Sequence, residues 1–472
     1  MKFTDRADEL GRLNQLASRD EGGLAVVWGR RRIGKTRMLL EWTRRHDGLY
    51  TVCDRSASSI QRRYLAKEIG RRLAGFDEVV YPDWKTLLNR LGRAMESARW
   101  RGPLVLDEFP YAVESEPALA SVLQNWIDHE AGPKRLTIAI SGSSQRMMQG
   151  FALDGSAPLY GRAAVQLHLQ PLKAGYLGQA IGVSTARKAV EAYAVWGGVP
   201  RYWELAAEFG DELDRAVDRC VLDPLSPLHT EPDRLLLEES PPAGSLRAIL
   251  DAIGGGCNRI TEIGARLGQQ ATSLARPLSR LIELGLVQRE VPHGVSEKTS
   301  KRALYKTCDP FFRLWFRVVA PNRGLLAQSP VAVRTSLWKK AQAALTAEAW
   351  EDLCRQCIAL MGSSDTPLAR HGPWAVARRY WRGNNPEWDV VALSLDGSRL
   401  LLGEAKWNAG PTSQKAIEAA GRELVAKGVP DIHAGEKLQV VRVLFLPELG
   451  KGLESPPGMN LIDARTVLGC LR

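Results

Sequence analysis

Four short apolar runs alternate with helical periodicities over the first third of the chain. LAVVWG (24–29), GLYTVC (48–53), PLVLDE (103–108) and LTIAISG (136–142) are continuous rather than alternating, and each ends in a polar or glycine-containing turn. Continuous runs of this length are the pattern of strands buried on both faces. Between them ELGRLNQLAS, TRMLLEWTRR, QRRYLAKEIGRRLAG, WKTLLNRLGRAMESA and ALASVLQNWIDHEA repeat apolar residues at a spacing of three to four, which predicts helices. Strands separated by such helices predict a doubly wound α/β layer with a parallel sheet, whose ligands sit at the carboxyl ends of the strands.

The pattern then changes. Residues 166–240 read as helical until DPLSPLHTEPD (223–233) and SPP (240–242) interrupt them. From 243 to 306 the order is three helices (SLRAILDAIGGG, ITEIGARLG, ATSLARPLSRLIELG), a β-like LVQREVPHG, a polar turn and ALYKTCD. Three helices followed by a hairpin predict a winged helix, with Pro277 inside the third helix as an irregularity. The aromatic PFFRLWFRVVAP (310–321) is expected to pack between domains, and residues 340–472 read as a mixed α/β unit with strands WDVVALS, RLLLGEAKW and LQVVRVLFLP.

Composition narrows the class. The chain has 472 residues, 44% hydrophobic and 25% charged, which suits several globular cores and excludes a disordered or fibrous protein. Lys plus Arg is 64 against 53 acidic residues, a formal charge of +11 and a modest argument for polyanionic partners. MKFTDRADELGRL is too charged for a signal peptide, and no apolar stretch is long enough to span a bilayer, so the expectation is a cytoplasmic protein with no membrane association. Seven scattered cysteines make no disulfide framework, and Cys354 and Cys357 form a lone C-x-x-C with no second pair at zinc spacing.

GRRRIGKT, the residues Gly29, Arg30, Arg31, Arg32, Ile33, Gly34, Lys35 and Thr36, fits G-x-x-x-x-G-K-[ST] between an apolar strand and a helix that continues with Arg37. Such a loop curls backbone N–H groups around phosphates at a helix N-terminus. Lys35 would reach the β- and γ-phosphates of ATP, and the Thr36 hydroxyl would bind Mg²⁺. In PLVLDEF, Asp107 stands where a carboxylate holds the Mg²⁺ shell and Glu108 where one polarises an attacking water. Ser141, Ser143 and Ser144 end the next strand, and Ser143 is the candidate γ-phosphate sensor.

FTDRADELGRL, VVWGRRRIGKTRML, VLDEFPYA, ISGSSQRMM, APLYGR and WGGVPRYW resemble, in order, the archaeal-type P-loop ATPase family of the AAA+/STAND group. The resemblance implies that Arg162 of APLYGR lies near the phosphates, in cis or in trans, that Gly198, Val199 and Pro200 contact adenine, and that Arg6 lies near the base. YKTCDPFFRLWFRVVAPN is similar to a C-terminal domain of unknown function attached to such ATPases, and the segment after it looks like a PD-(D/E)XK nuclease. Asp389 falls in one of its strands. Glu404 and Lys406 fall in the next, two apart and so on one face, and Glu351 comes from a preceding helix. Asp389 and Glu404 could hold Mg²⁺ against a scissile phosphate while Lys406 positions water.

The expected architecture is therefore a P-loop ATPase core (1–165), a helical lid (166–240), a winged helix (241–309) and a restriction-endonuclease-like α/β domain (310–472). Arg276, Arg280, Arg289 and His293 of the winged helix, and Arg378, Arg379 and Arg382 beside Tyr380 and Trp381, are the candidate contacts to DNA. Two functions fit: an ATP-hydrolysing switch coupled to a nucleic-acid-binding, Mg²⁺-dependent nuclease domain, or a STAND-like signalling or scaffold ATPase whose C-terminal domain is an inactive platform. Copies of the chain assembling on nucleotide binding belong to either reading.

Overall fold

The computed structural model describes residues 2–472 except 132–134, 144, 240–243, 299, 301, 364–365, 409, 411, 434 and 451, and of residues 145–146, 238–239, 244–245 and 362–363 the backbone alone. The chain divides into two compact units, Asp5–Leu172 and one built on Lys173–Arg472.

In the first unit β1 (Gly23–Trp28), β2 (Leu49–Val52), β3 (Leu104–Asp107), β4 (Thr137–Gly142) and β5 (Ala163–His168) form one sheet in the order β2-β3-β4-β1-β5. Every pairing is parallel. The continuous apolar runs have the cause expected of them: all six residues of β4 and all four of β3 are buried. Leu24, Val26, Leu104, Leu106, Ile138 and Ile140 project from one face onto Leu87, Leu91 and Trp126 of the helices that cover it. One of these helices, Trp84–Ser97, starts where the Asp83 carboxylate accepts from the Thr86 N–H at 2.7 Å, a cap worth about 1 kcal/mol.

β5 runs into the stretch that reads as helical from 166 onward, and for residues 166–168 that expectation is corrected. AAVQLH is an edge strand in which only Leu167 is buried, so it has no apolar run to betray it.

The second unit joins the segments expected as separate lid, winged-helix and C-terminal modules. Helices Ala186–Trp196 and Pro200–Ala206 pack with the aromatic segment, Tyr202 and Phe311 lying 4.6 Å apart between ring centroids. The Trp315 indole donates to the His229 carbonyl at 2.7 Å. Buried Arg334, on the long helix Val331–Cys357, holds Asp218 through two hydrogen bonds of 2.7 and 3.0 Å. These apolar and ionic contacts remove the boundaries that the proline-rich stretches suggested.

Helices Gly244–Gly254, Ile260–Leu267 and Ala275–Glu283 precede an antiparallel hairpin of β6 (Val287–Glu290) and β7 (Leu304–Thr307). Pro277 falls in the first turn of its helix, where a missing N–H leaves no intrahelical bond unmade. A second sheet follows, β8 (Arg378–Tyr380), β9 (Trp388–Leu393), β10 (Arg399–Ala405), β11 (Gln439–Leu446) and β12 (Met459–Asp463), in the order β12-β11-β10-β9-β8. The first three strands are an antiparallel meander, whereas β11 and β12 run parallel to β10. Helix Gln414–Ala426 crosses from β10 to β11 and buries Ile417 and Leu424 against Leu400, Leu402 and Leu444.

Candidate functional site

Parallel pairing brings the chemistry to one edge. The loop after β1, Asp107 at the end of β3 and Ser143 just after β4 all emerge at the carboxyl ends of adjacent strands. Glycine is required at two points of the loop. Gly29 has φ 151° and a Cβ there would stand 2.8 Å from the Leu169 carbonyl, while Gly34, at φ 96°, caps helix Lys35–Arg45. Arg32 also takes a left-handed φ of 64°. The loop is thus bent over the start of a helix whose first-turn N–H groups are open to a ligand. Lys35 is 4% exposed, and its ammonium donates to the carbonyls of Gly29 at 2.8 Å and Arg30 at 3.2 Å, which lays the side chain back over the loop. Ile33 is buried and Thr36 exposed. The Arg31 guanidinium donates to the Tyr111 hydroxyl at 2.5 Å, and Arg55 covers the same ring at 4.9 Å.

Asp107 is 1% exposed and gathers three hydroxyl groups. Thr36 donates to Oδ2 at 2.7 Å and Tyr50 to the same oxygen at 2.5 Å, while Ser141 donates to Oδ1. Register explains the convergence. Tyr50 pairs with Val105 and Val105 with Ala139, so Asp107 and Ser141, each two residues on, share a face with Tyr50. Burial, and after it the Asp107 charge, raise the Tyr50 phenol well above its usual pKa, and the same two causes push the Cys53 thiol up to about 12. Among the described residues no Lys or Arg pairs with Asp107, so a buried carboxylate is held by neutral donors alone. Such a set fits a hard divalent cation, which seeks oxygen ligands and charge.

Glu108 follows with φ 52°, a left-handed backbone that costs a non-glycine residue about 1–2 kcal/mol and turns its side chain from the strand toward β4. There the Ser143 N–H donates to Oε2 at 3.1 Å and its hydroxyl to Oε1. The serine expected as a γ-phosphate sensor is therefore engaged with Glu108, and Ser144 lies outside the described residues.

One residue departs from its expected place. Arg162 precedes β5, whose first residue pairs with Leu24 near the start of β1, so it sits about 16 Å from the loop at the other end of the strands. There it holds Asp128 through Nε at 2.9 and 3.0 Å, with the pair about one-third exposed. A parallel sheet keeps strand starts and strand ends apart, which rules out the reading of Arg162 beside its own phosphates. Arg6 is 4% exposed, with its guanidinium spanning the Ile33 carbonyl (3.0 Å), the Gln170 carbonyl (2.7 Å) and Glu9 (2.8 Å), so it braces the loop from behind. Pro200 opens helix Pro200–Ala206 in the other unit.

In that unit the second candidate set also gathers. The Asp389 carboxylate accepts from the Ala405 N–H at 3.0 Å, and Glu404, 7% exposed, accepts from Lys406 at 3.1 Å. Sequence reasoning missed Lys427, which holds the other Glu404 oxygen at 2.6 Å and carries no local signal. Burial opposes the charge on Lys406, but Glu404 and Glu423 outweigh it and raise its pKa. Burial and the Asp389 charge push Glu351 up to about 7, against Arg355 at 3.6 Å. Both oxygens of Glu404 are neutralised by ammonium groups, and among the described residues no three His, Cys, Asp or Glu side chains are grouped to hold a metal. The set does not fit Mg²⁺. Cys354 and Cys357 are fully buried, and burial raises both thiols, which suits packing rather than a metal.

The basic cluster is also already occupied. Arg378 pairs with Glu297, Arg379 with Glu387 (2.9 Å) and Glu290 (3.7 Å), and Arg382 with Asp431 (3.5 Å). Tyr380 and Trp381 are buried, so they do not form a stacking platform for bases. Arg280 pairs with Glu283 at 3.1 Å, Arg289 donates to the carbonyls of Glu297 and Ser300, and His293 is buried against His433. No helix among the described residues is long and apolar enough to cross a membrane.

Comparison with known proteins agrees with the geometry of the loop. Residues 3–204 match an ATPase domain described as predominantly from Archaea, and residues 315–419 match archaeal and bacterial proteins of unknown function. An uncharacterized protein of Methanocaldococcus jannaschii is 27% identical over 407 residues, 86% of this chain and 87% of that one. A Walker-type ATPase of Pyrococcus abyssi is similar in fold, with a TM-score of 0.52 and 18% identity over 67% of this chain and 96% of that one. Residues 3–204 are therefore similar to an ATPase domain found predominantly in Archaea and residues 315–419 to a domain of archaeal and bacterial proteins of unknown function, and the chain is an ATPase.

Proposed function

We propose that the protein is an ATP-hydrolysing switch, Mg²⁺-dependent, whose C-terminal domain is a platform that binds a partner and cuts nothing. The observation that carries the ATPase half is Asp107, buried, cation-free among the described residues and hydrogen-bonded to Thr36. Thr36 and Asp107 would hold Mg²⁺, which supplies charge neutralisation at the phosphates. The backbone of Gly29–Thr36 and Arg37 wraps the phosphates, Lys35 exchanges its loop carbonyls for phosphate oxygens, and Arg6 keeps the Ile33 turn in place. Glu108, aimed by its strained backbone and by Ser143, orients the attacking water and accepts its proton. Arg162 lies too far from its own loop to take part in cis. Its pair with Asp128 is exposed and worth at most about 1 kcal/mol, so it is free to act on the nucleotide of a neighbouring copy.

Helices 244–283 with hairpin β6–β7 support the winged-helix reading, and the helix–meander–helix–strand order of 331–446 supports the nuclease-like one. The specific observation favouring a platform over a nuclease is the double neutralisation of Glu404. Incubating the full chain with labelled DNA and RNA in Mg²⁺ or Mn²⁺ tests it. The expected result is no cleavage above that of the Glu404→Ala, Lys406→Ala double variant, whereas cleavage that this variant abolishes restores the nuclease.

A further inference from the structure

We propose that Tyr50 is a positioning residue for the metal-binding carboxylate of the ATPase site. Its phenol donates to Asp107 Oδ2 at 2.5 Å, the oxygen that also accepts from Thr36 at 2.7 Å. The other oxygen is held by Ser141 and by the Glu108 N–H at 3.0 Å. Two donors therefore converge on Oδ2. A hydroxyl that ligates a cation turns a lone pair toward it and its proton away, so Thr36 can bind metal beside Asp107 and still keep its hydrogen bond. Tyr50 has no second task of this kind. Anchored on β2, next to β3, it fixes which lone pair of Oδ2 is left for the metal shell, and it does so from the same sheet face on which the loop helix rests.

The ring makes this a rigid constraint. A phenol reaching from an adjacent strand has two soft torsions, and Tyr50 is half-buried with its neighbour Thr51 pointing to the opposite face. Without the phenol, Asp107 keeps Ser141 and the Glu108 N–H on Oδ1 and Thr36 on Oδ2, so the carboxylate stays hydrogen-bonded but loses the donor that fixes Oδ2 from the β2 side. The loss then falls on the metal rather than on the nucleotide, because the phenol meets Asp107 and the Thr36 hydroxyl, the two groups that would hold the metal.

The inference rests on the ATPase reading above, and the experiment separates the two. Wild type, Tyr50→Phe and Thr36→Ala full chains are melted with ADP in EDTA and with ADP plus MgCl₂, and ATP hydrolysis is titrated with Mg²⁺. In Tyr50→Phe the stabilisation by ADP in EDTA should equal that of wild type. The further increment on adding Mg²⁺ should fall by about half or more, and half-saturating Mg²⁺ for hydrolysis should rise about five-fold, the effect of one ordinary hydrogen bond, since the carboxylate keeps its other donors. Because both increments come from one protein sample, general destabilisation cancels. A Mg²⁺ increment and Mg²⁺ half-saturation equal to wild type in Tyr50→Phe, with both lost in Thr36→Ala, overturns the role of Tyr50. A Mg²⁺ increment retained in Thr36→Ala as well overturns the metal reading of the loop itself.

Discussion

Glu351 shows how one side chain records its surroundings. It lies on helix Val331–Cys357, with Asp389 close enough that burial and that charge together raise its pKa to about 7. A carboxyl whose pKa is raised on folding holds its proton in the folded chain after the unfolded chain has lost it. Its contribution is therefore full below about 4.5 and is lost as pH rises toward 7. Glu351→Gln, which cannot ionise, should leave the thermal midpoint unchanged at pH 4.5 and raise it at pH 8, by the equivalent of about 1–3 kcal/mol. Equal midpoints across that range would mean that Glu351 is solvated. At the ATPase site the same scale sets the division of labour: the carboxylate of Asp107 is held by hydroxyl groups, and that of Glu108 by one serine through two bonds. Neighbouring carboxylates in DE are thus fixed by different donors, Asp107 by Thr36, Tyr50 and Ser141 and Glu108 by Ser143, which is how adjacent residues can serve different tasks.

At the scale of elements, hairpin β6–β7 and edge strand β8 form an internal acidic–basic contact. Glu290 and Glu297 meet Arg379 and Arg378, and the His293 N–H donates to the Arg379 carbonyl at 2.7 Å, which covers part of the sheet edge. Of the arginines that argued for nucleic acid in the sequence, the hairpin meets Arg378 and Arg379, while Arg382 pairs with Asp431. Glu290→Gln combined with Glu297→Gln and Glu387→Gln should release Arg378 and Arg379 and raise affinity for single-stranded DNA at low salt by about three- to tenfold, since two guanidinium groups become available to phosphates. Affinity unchanged from wild type would mean that the hairpin does not mask a polyanion surface. Which elements the sequence disclosed follows from their burial. β1, β3 and β4 are covered on both faces and read as apolar runs, whereas the edge strands β5, β8 and β12 bury little and leave no pattern. The loop residues were legible because phosphate wrapping constrains a contiguous string. Tyr50 and Lys427 were not, because each meets its carboxylate across strands or over 23 residues, and sequence carries no local trace of such a contact.

At the scale of the whole molecule, the arithmetic of charge is redistributed. Arg30, Arg31, Arg32 and Lys35 belong to the nucleotide loop, Arg313 and Arg355 are buried on Asp352, and the β8 arginines are paired within their own unit, so a net charge of +11 does not by itself describe a nucleic-acid surface. Arg162, at the strand end opposite the loop, holds Asp128. The central claim is that ATP is hydrolysed at the carboxyl edge of the first sheet with Glu108 orienting the water. The most direct measurement is equilibrium ATP binding and single-turnover hydrolysis of Glu108→Gln beside Lys35→Ala. Glu108→Gln should bind ATP with wild-type affinity and hydrolyse it about a hundredfold more slowly, while Lys35→Ala should lose the binding itself. Wild-type hydrolysis in Glu108→Gln would contradict the account.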